Sequence, residues 1–197
     1  VKIRYVTALA LGSLLVLTGC AAQAPQRPAD PDGATDAVAA SEGDATSGAS
    51  ALASITSCDQ VADAVAPFIE NLVPMEDNAV DEWGVTCSWE AAEDETDFAN
   101  NRSVEVGIAP NESGTPMPDP SLVTAMDGGA LIEDAWVSDN DGVAFSLTMG
   151  IAVAGVTATT VWFPGFQANI TGGTWGDYPA LDGPAAVQIV KTLLPNP

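Results

Sequence analysis

The chain has 197 residues, 27 Asp plus Glu against 5 Lys plus Arg, a formal net charge of −22 and no histidine. Such a charge repels nucleic acid and anionic lipid headgroups, so nucleic acid is excluded as a partner. The missing imidazole removes Ser-His-Asp and Cys-His catalysis, His-based zinc sites and His proton shuttles.

Lys2 and Arg4 precede an almost wholly apolar run from residue 6 to 17, the layout of a secretory signal peptide. A run of that length is too short to cross a hydrocarbon core, which needs about 20 residues. Leu17-Thr18-Gly19-Cys20 follows. This stretch resembles the bacterial lipobox, and the resemblance implies cleavage before Cys20 and a diacylglyceryl group on its sulfur. Two acyl chains hold a protein stably on a membrane where one does not. The chain begins with Val1, which fits an alternative start codon, and it reads as the unprocessed precursor. Residues 1–19 are thus expected to be the leader, and the protein to sit on the outer face of the cell membrane through Cys20.

No acidic residue precedes Cys20. The remainder therefore carries all 27 acids and three bases, Arg27, Arg102 and Lys191, a formal charge of −24. Solubility in an exposed envelope location is the plainest reading of that charge. With Cys20 lipidated, Cys58 and Cys87 are an even pair outside the cytosol, and a disulfide between them is expected.

After Cys20, the residues up to 52 are mostly Ala, Pro, Asp, Gly, Ser and Thr with no aromatic, a composition that cannot bury enough apolar area to order itself. Residues 20–52 read as a disordered acidic tether with a reach of roughly 30 Å. The domain is expected over 53–197. Ser57 and Gln60 have capping-box spacing, and Cys58, Val61, Ala62, Val65, Phe68, Ile69 and Leu72 repeat with helical period. Pro67 should kink or shorten that helix, and Pro74 marks its latest end.

Val85, Cys87 and Trp89 alternate with polar residues and predict a half-buried strand, which the disulfide would staple to the first helix. Glu90 to Asp97 reads as an acidic loop, and Ser103 to Ala109 as a second, antiparallel strand. Four prolines between 110 and 120 leave no room for a regular element. Asp119-Pro120 suits the start of a short helix ending before Gly128-Gly129. Ala135 to Ser138 and Val143 to Met149 read as strands around an Asp139-Asn140-Asp141-Gly142 hairpin turn, with a second turn or bulge at Gly150. Ile151 to Phe163 reads as a strand interrupted by Pro164-Gly165 and resumed over 166–171, and Gly172-Gly173 as the start of a long loop through Trp175 and Tyr178. Pro184 to Leu194 is a closing helix stopped by Pro195. The sum is an α+β domain, a mainly antiparallel sheet with N- and C-terminal helices packed on it and one disulfide.

The lipobox, the acidic tether, a helix opening at a Cys, then Cys87-Ser88-Trp89 and Glu133-Asp134-Ala135-Trp136 together resemble actinobacterial lipoproteins grouped as a domain of unknown function. The resemblance implies a fold similar to the extracellular sensor domain of mycobacterial serine/threonine kinases. It supplies no catalytic residues, and the segment after Gly172 departs from the family's pattern.

No catalytic constellation, cofactor motif or metal site is identified. The glycine pairs lack the spacing and the Lys of a phosphate loop. Glu133, Asp134, Asp139 and Asp141, and separately Glu93, Asp94, Glu95 and Asp97, carry calcium-type oxygen ligands without matching an EF-hand loop, and read as a turn and a solvated loop. Trp162, Phe166, Trp175 and Tyr178 cluster in sequence among Gly and Pro, and are the candidate ligand-binding residues. Trp89 and Trp136 read as core. The functional expectation is a monomeric, non-enzymatic module that binds an envelope protein, a small ligand or a cell-wall component. The alternatives are a carboxylate-dependent hydrolase of envelope glycans, with two carboxyl groups about 5 to 9.5 Å apart, or a structural or inhibitory partner of another envelope protein. A flat apolar patch would favour a protein partner.

Overall fold

A computed structural model describes residues 52–97, 100–111, 115–151 and 154–197. The expected leader, Cys20 and nearly all of the tether lie outside the described residues.

The described residues form an α+β fold on one antiparallel sheet. Its strands are β1 (Val73–Pro74), β2 (Ala79–Asp81), β3 (Gly84–Glu90), β4 (Ser103–Pro110), β5 (Gly129–Ile132), β6 (Val143–Ile151), β7 (Ala154–Phe163) and β8 (Phe166–Trp175). The spatial order is β1-β3-β4-β8-β7-β6-β5, with β2 beside β3. The helices are α1 (Cys58–Val65), α2 (Pro120–Thr124), α3 (Ala135–Asp139) and α4 (Gly183–Leu193).

Strand alternation sends Val85, Cys87 and Trp89, then Val104, Val106 and Ile108, to one face, where all are buried. Val161 and Phe163 of β7 and Phe166, Ala168 and Ile170 of β8 continue that face. The first and last helices cover it, α1 against β3 and α4, and α4 against β6 and β7. Val61, Val65, Ala186, Val187, Ile189, Val190 and Leu193 are their buried stripes.

The caps follow from local chemistry. The Ser57 hydroxyl accepts from the Gln60 amide at 3.3 Å, and the Gln60 side chain accepts from the Thr56 amide at 3.1 Å. Asp182 accepts from the Ala185 amide at 3.0 Å and Pro184 fills the first turn of α4. Pro67 shortens the first helix: α1 ends at Val65 and the chain tightens into a 3₁₀ turn over Ala66–Phe68.

Four segments differ from expectation. Ala135–Asp139 is helical, because the Asp134 carboxylate accepts from the Val137 amide and caps a turn there. Asp139 to Gly142 is accordingly the exit of a helix, closed by Gly142 N–H on the Val137 carbonyl at 2.9 Å, and not a hairpin turn. Gly150 lies within a strand pair, opposite Gly155. Residues 172–175 continue β8 instead of opening a loop: Gly172 lies under Leu181, and Gly173 lies against the Gly155 carbonyl at φ +150°. Only a residue without a Cβ fits either place. Three short strands, β1, β2 and β5, carry no sequence alternation long enough to read.

Candidate functional site

Cys58 and Cys87 are disulfide-bonded, with Cα atoms 5.6 Å apart across a sequence separation of 29. Cys58 is the first residue of α1 and Cys87 the buried centre of β3, so the bond joins the first helix to the sheet.

The four aromatic residues singled out in the sequence do not converge. Phe166 is fully buried on the helix side, its ring centroid 5.1 Å from that of Phe163. Trp162 alternates to the opposite face and is also buried. Trp175 lies at the far end of β8 from Phe166, roughly 30 Å away at strand rise. The Tyr178 ring lies 3.7 Å beneath the Arg102 guanidinium, and its hydroxyl bonds Asn100 Oδ1 at 2.9 Å. Arg102 is 5% exposed and donates to the Phe68 and Glu70 carbonyls. Trp175 and Tyr178 thus flank a buried structural arginine. Trp89 belongs to the core as expected. Trp136 is half-buried on α3, edge-on to Phe163 at 5.2 Å.

In each acidic cluster one carboxylate, Glu95 or Asp134, is held by local bonding. Glu95 accepts from the Asp97 amide at 2.7 Å and the Asn100 side chain at 3.0 Å, which hold its carboxyl below the usual range. Burial pulls the Asp134 carboxyl up. Lys191 and the α3 amides outweigh that, and the net shift is downward. Among the described residues no group of three or more His, Cys, Asp or Glu side chains gathers as metal ligands.

The other face of the sheet carries the feature that sequence reasoning missed. By register, Leu131, Phe145, Leu147, Met149, Val156 and Ala158 share this face on β5, β6 and β7. Met149 and Val156 are direct cross-strand partners, and Met149 is 62% exposed. Leu131 and Val156 are also exposed, and Phe145 and Leu147 half-buried. At the β5–β6 corner, α2 sits on this face: Gly129 lies directly beneath the Val123 carbonyl. There α2 brings Leu122, 68% exposed, and Met126 follows it, also exposed. Val123, Val143 and Trp162 are buried yet stand apart from the main core. Toward β8 and β4 the face turns polar through Asn169, Thr171 and Glu105. Alternation of β6 and β7 was legible, but which side the helices would leave open was not.

A trough of about 1030 Å³ adjoins Met149, lined by Gly128, Gly150, Gly155 and Thr148 with the carboxylates Asp127 and Asp177. The chain matches no family model, no curated protein and no solved structure.

Proposed function

We propose that the chain is a lipid-anchored extracytoplasmic lipoprotein of the actinobacterial type, whose α+β domain is a non-enzymatic module for binding a protein partner. The observation that carries the binding role is the open sheet face, where Leu131, Met149 and Val156 stand exposed in one cross-strand patch. A contiguous exposed apolar patch on a folded domain marks an interaction surface. The patch is a sheet surface, and it suits a protein better than a small molecule, which takes a concave pocket.

The anchor rests on Leu17-Thr18-Gly19-Cys20. The Cys58–Cys87 bond supports an oxidising compartment, since disulfides persist outside the cytosol. A glycan hydrolase would need one carboxyl held protonated at neutral pH. Among the described residues, the carboxyls that their surroundings move, Glu95, Asp119 and Asp134, are drawn down, toward the ionised form.

Native mass spectrometry of the protein extracted in mild detergent from its own host tests both parts. The reading expects a diacylglyceryl mass on Cys20, its loss in Cys20→Ser, and a protein bound to the domain that Met149→Glu releases. An unmodified Cys20 contradicts the anchor. A small molecule retained in place of a protein contradicts the partner.

A further inference from the structure

The charges around the open face constrain what binds there. Among the described residues the only cations are Arg102 and Lys191, and both are engaged. Arg102 is buried on two backbone carbonyls, and Lys191 is bonded to Asp134 at 2.7 Å. The apolar patch is meanwhile bordered by exposed carboxylates. Glu90 lines a hollow together with Val156 and Trp175, and its cross-strand partner Ser103 shares the face of Glu105. Glu105 stands in the same cross-strand row as Leu147, Ala158 and Thr171. A neutral apolar ligand would leave those carboxylates uncompensated, and an anionic surface would be repelled. A second copy of the chain, equally acidic, would set carboxylate against carboxylate.

We propose that the open face seats a cationic amphipathic segment of a partner protein. Its apolar side chains would lie on Met149, Val156 and Leu131, and its Lys or Arg side chains would meet Glu90 and Glu105. Met126 and Met149 suit this occupant, because unbranched thioether side chains re-pack around different apolar shapes. Apolar contact supplies the affinity, and the acidic border supplies register and steering. The inference rests on the partner-binding reading and adds the partner's charge.

Methyl-labelled methionine in the full mature chain, with Cys20→Ser to keep it soluble, gives the readout. The probe is a synthetic peptide of alternating Leu and Lys. It is expected to shift the Met126 and Met149 methyl signals and leave Met75, on the far edge of the sheet beside β1, in place. Affinity should fall about tenfold or more with Met149→Glu, with a Ser/Lys peptide of equal charge, and with a Leu/Ser peptide of equal apolar content, about 1.4 kcal/mol each. Val156→Thr, a milder change, should weaken binding without disturbing the fold, if Met149→Glu does disturb it. Equal binding by the Ser/Lys peptide overturns the proposal in favour of charge alone. Equal binding by the Leu/Ser peptide overturns the cationic partner but leaves the face as a binding surface. A free chain that dimerises through Met149 assigns the face to a second copy. Silence of both methyls with every peptide removes the partner-binding reading as well.

Discussion

Lys191 Nζ, in the last turn of α4, reaches Asp134 Oδ2 at 2.7 Å, while Asp134 Oδ1 accepts from the Val137 amide at 3.2 Å and caps α3. One carboxylate thus fixes the position of α3 against the closing helix. The ammonium also stands 5.6 Å from the Trp136 ring centroid. Both side chains of the pair are partly buried.

Asp134→Asn keeps a capping oxygen and loses the ion pair, and should cost about 0.5 to 1 kcal/mol. Asp134→Ala loses the cap too, about 1 kcal/mol more. The folded-state carboxyl is held below its ordinary value, near 4. Its contribution is therefore complete above that value and lost as pH falls through the lower folded one. Urea denaturation should show the wild type and Asp134→Asn converging as pH is lowered below about 4, with their gap widest at neutral pH.

The disulfide closes 29 positions, for which loop-closure entropy gives about 3.5 kcal/mol. Cys58→Ala with Cys87→Ala should lower unfolding free energy by that order, measured by urea titration. Alkylation of the unfolded, unreduced domain should label neither cysteine, and labelling of both would contradict the bond.

Arg102 ties the start of β4 to the carbonyls of Phe68, the last residue of the 3₁₀ turn, and Glu70 beyond it. Arg102→Ala should destabilise by about 3 kcal/mol, since two backbone carbonyls lose charged donors from a buried guanidinium. Lysine should not rescue it, because a point charge cannot span both carbonyls as the planar fork does. Tyr178→Phe keeps the stack and loses the bond to Asn100, about 1 kcal/mol. Calorimetry of the three variants separates these effects, and it casts Tyr178 as a stability residue.

Gly129→Ala should be costly for a different reason. A Cβ there meets the Val123 carbonyl, so α2 must shift off the sheet, at about 1 to 3 kcal/mol. The expected sign is a lowered melting temperature, read by calorimetry.

Where a signal was local and repeated, the sequence carried it. The Ser57 cap, the alternation through Val85, Cys87 and Trp89, the Asp119-Pro120 start and the closing helix all stand as read. Misreadings arose where one residue serves two ends. Asp134 looked like part of an acidic turn, but its position three residues before Val137 is a helix cap. Gly172 and Gly173 looked like a loop, and their absent side chains instead admit Leu181 and the β7 backbone. Alternation fixes which residues share a face but not which face the helices cover. The Met149–Val156 patch was therefore invisible until α1 and α4 were placed.

The most direct test of the binding role is photo-crosslinking in intact cells of the native host, with a diazirine residue placed in turn at Met149, Val156 and the exposed Glu82. The open face as a partner-binding surface predicts one discrete protein adduct from positions 149 and 156 and none from 82, abolished when Leu131 is changed to Glu. No adduct at 149 and 156, or the same adducts from all three positions, would contradict it.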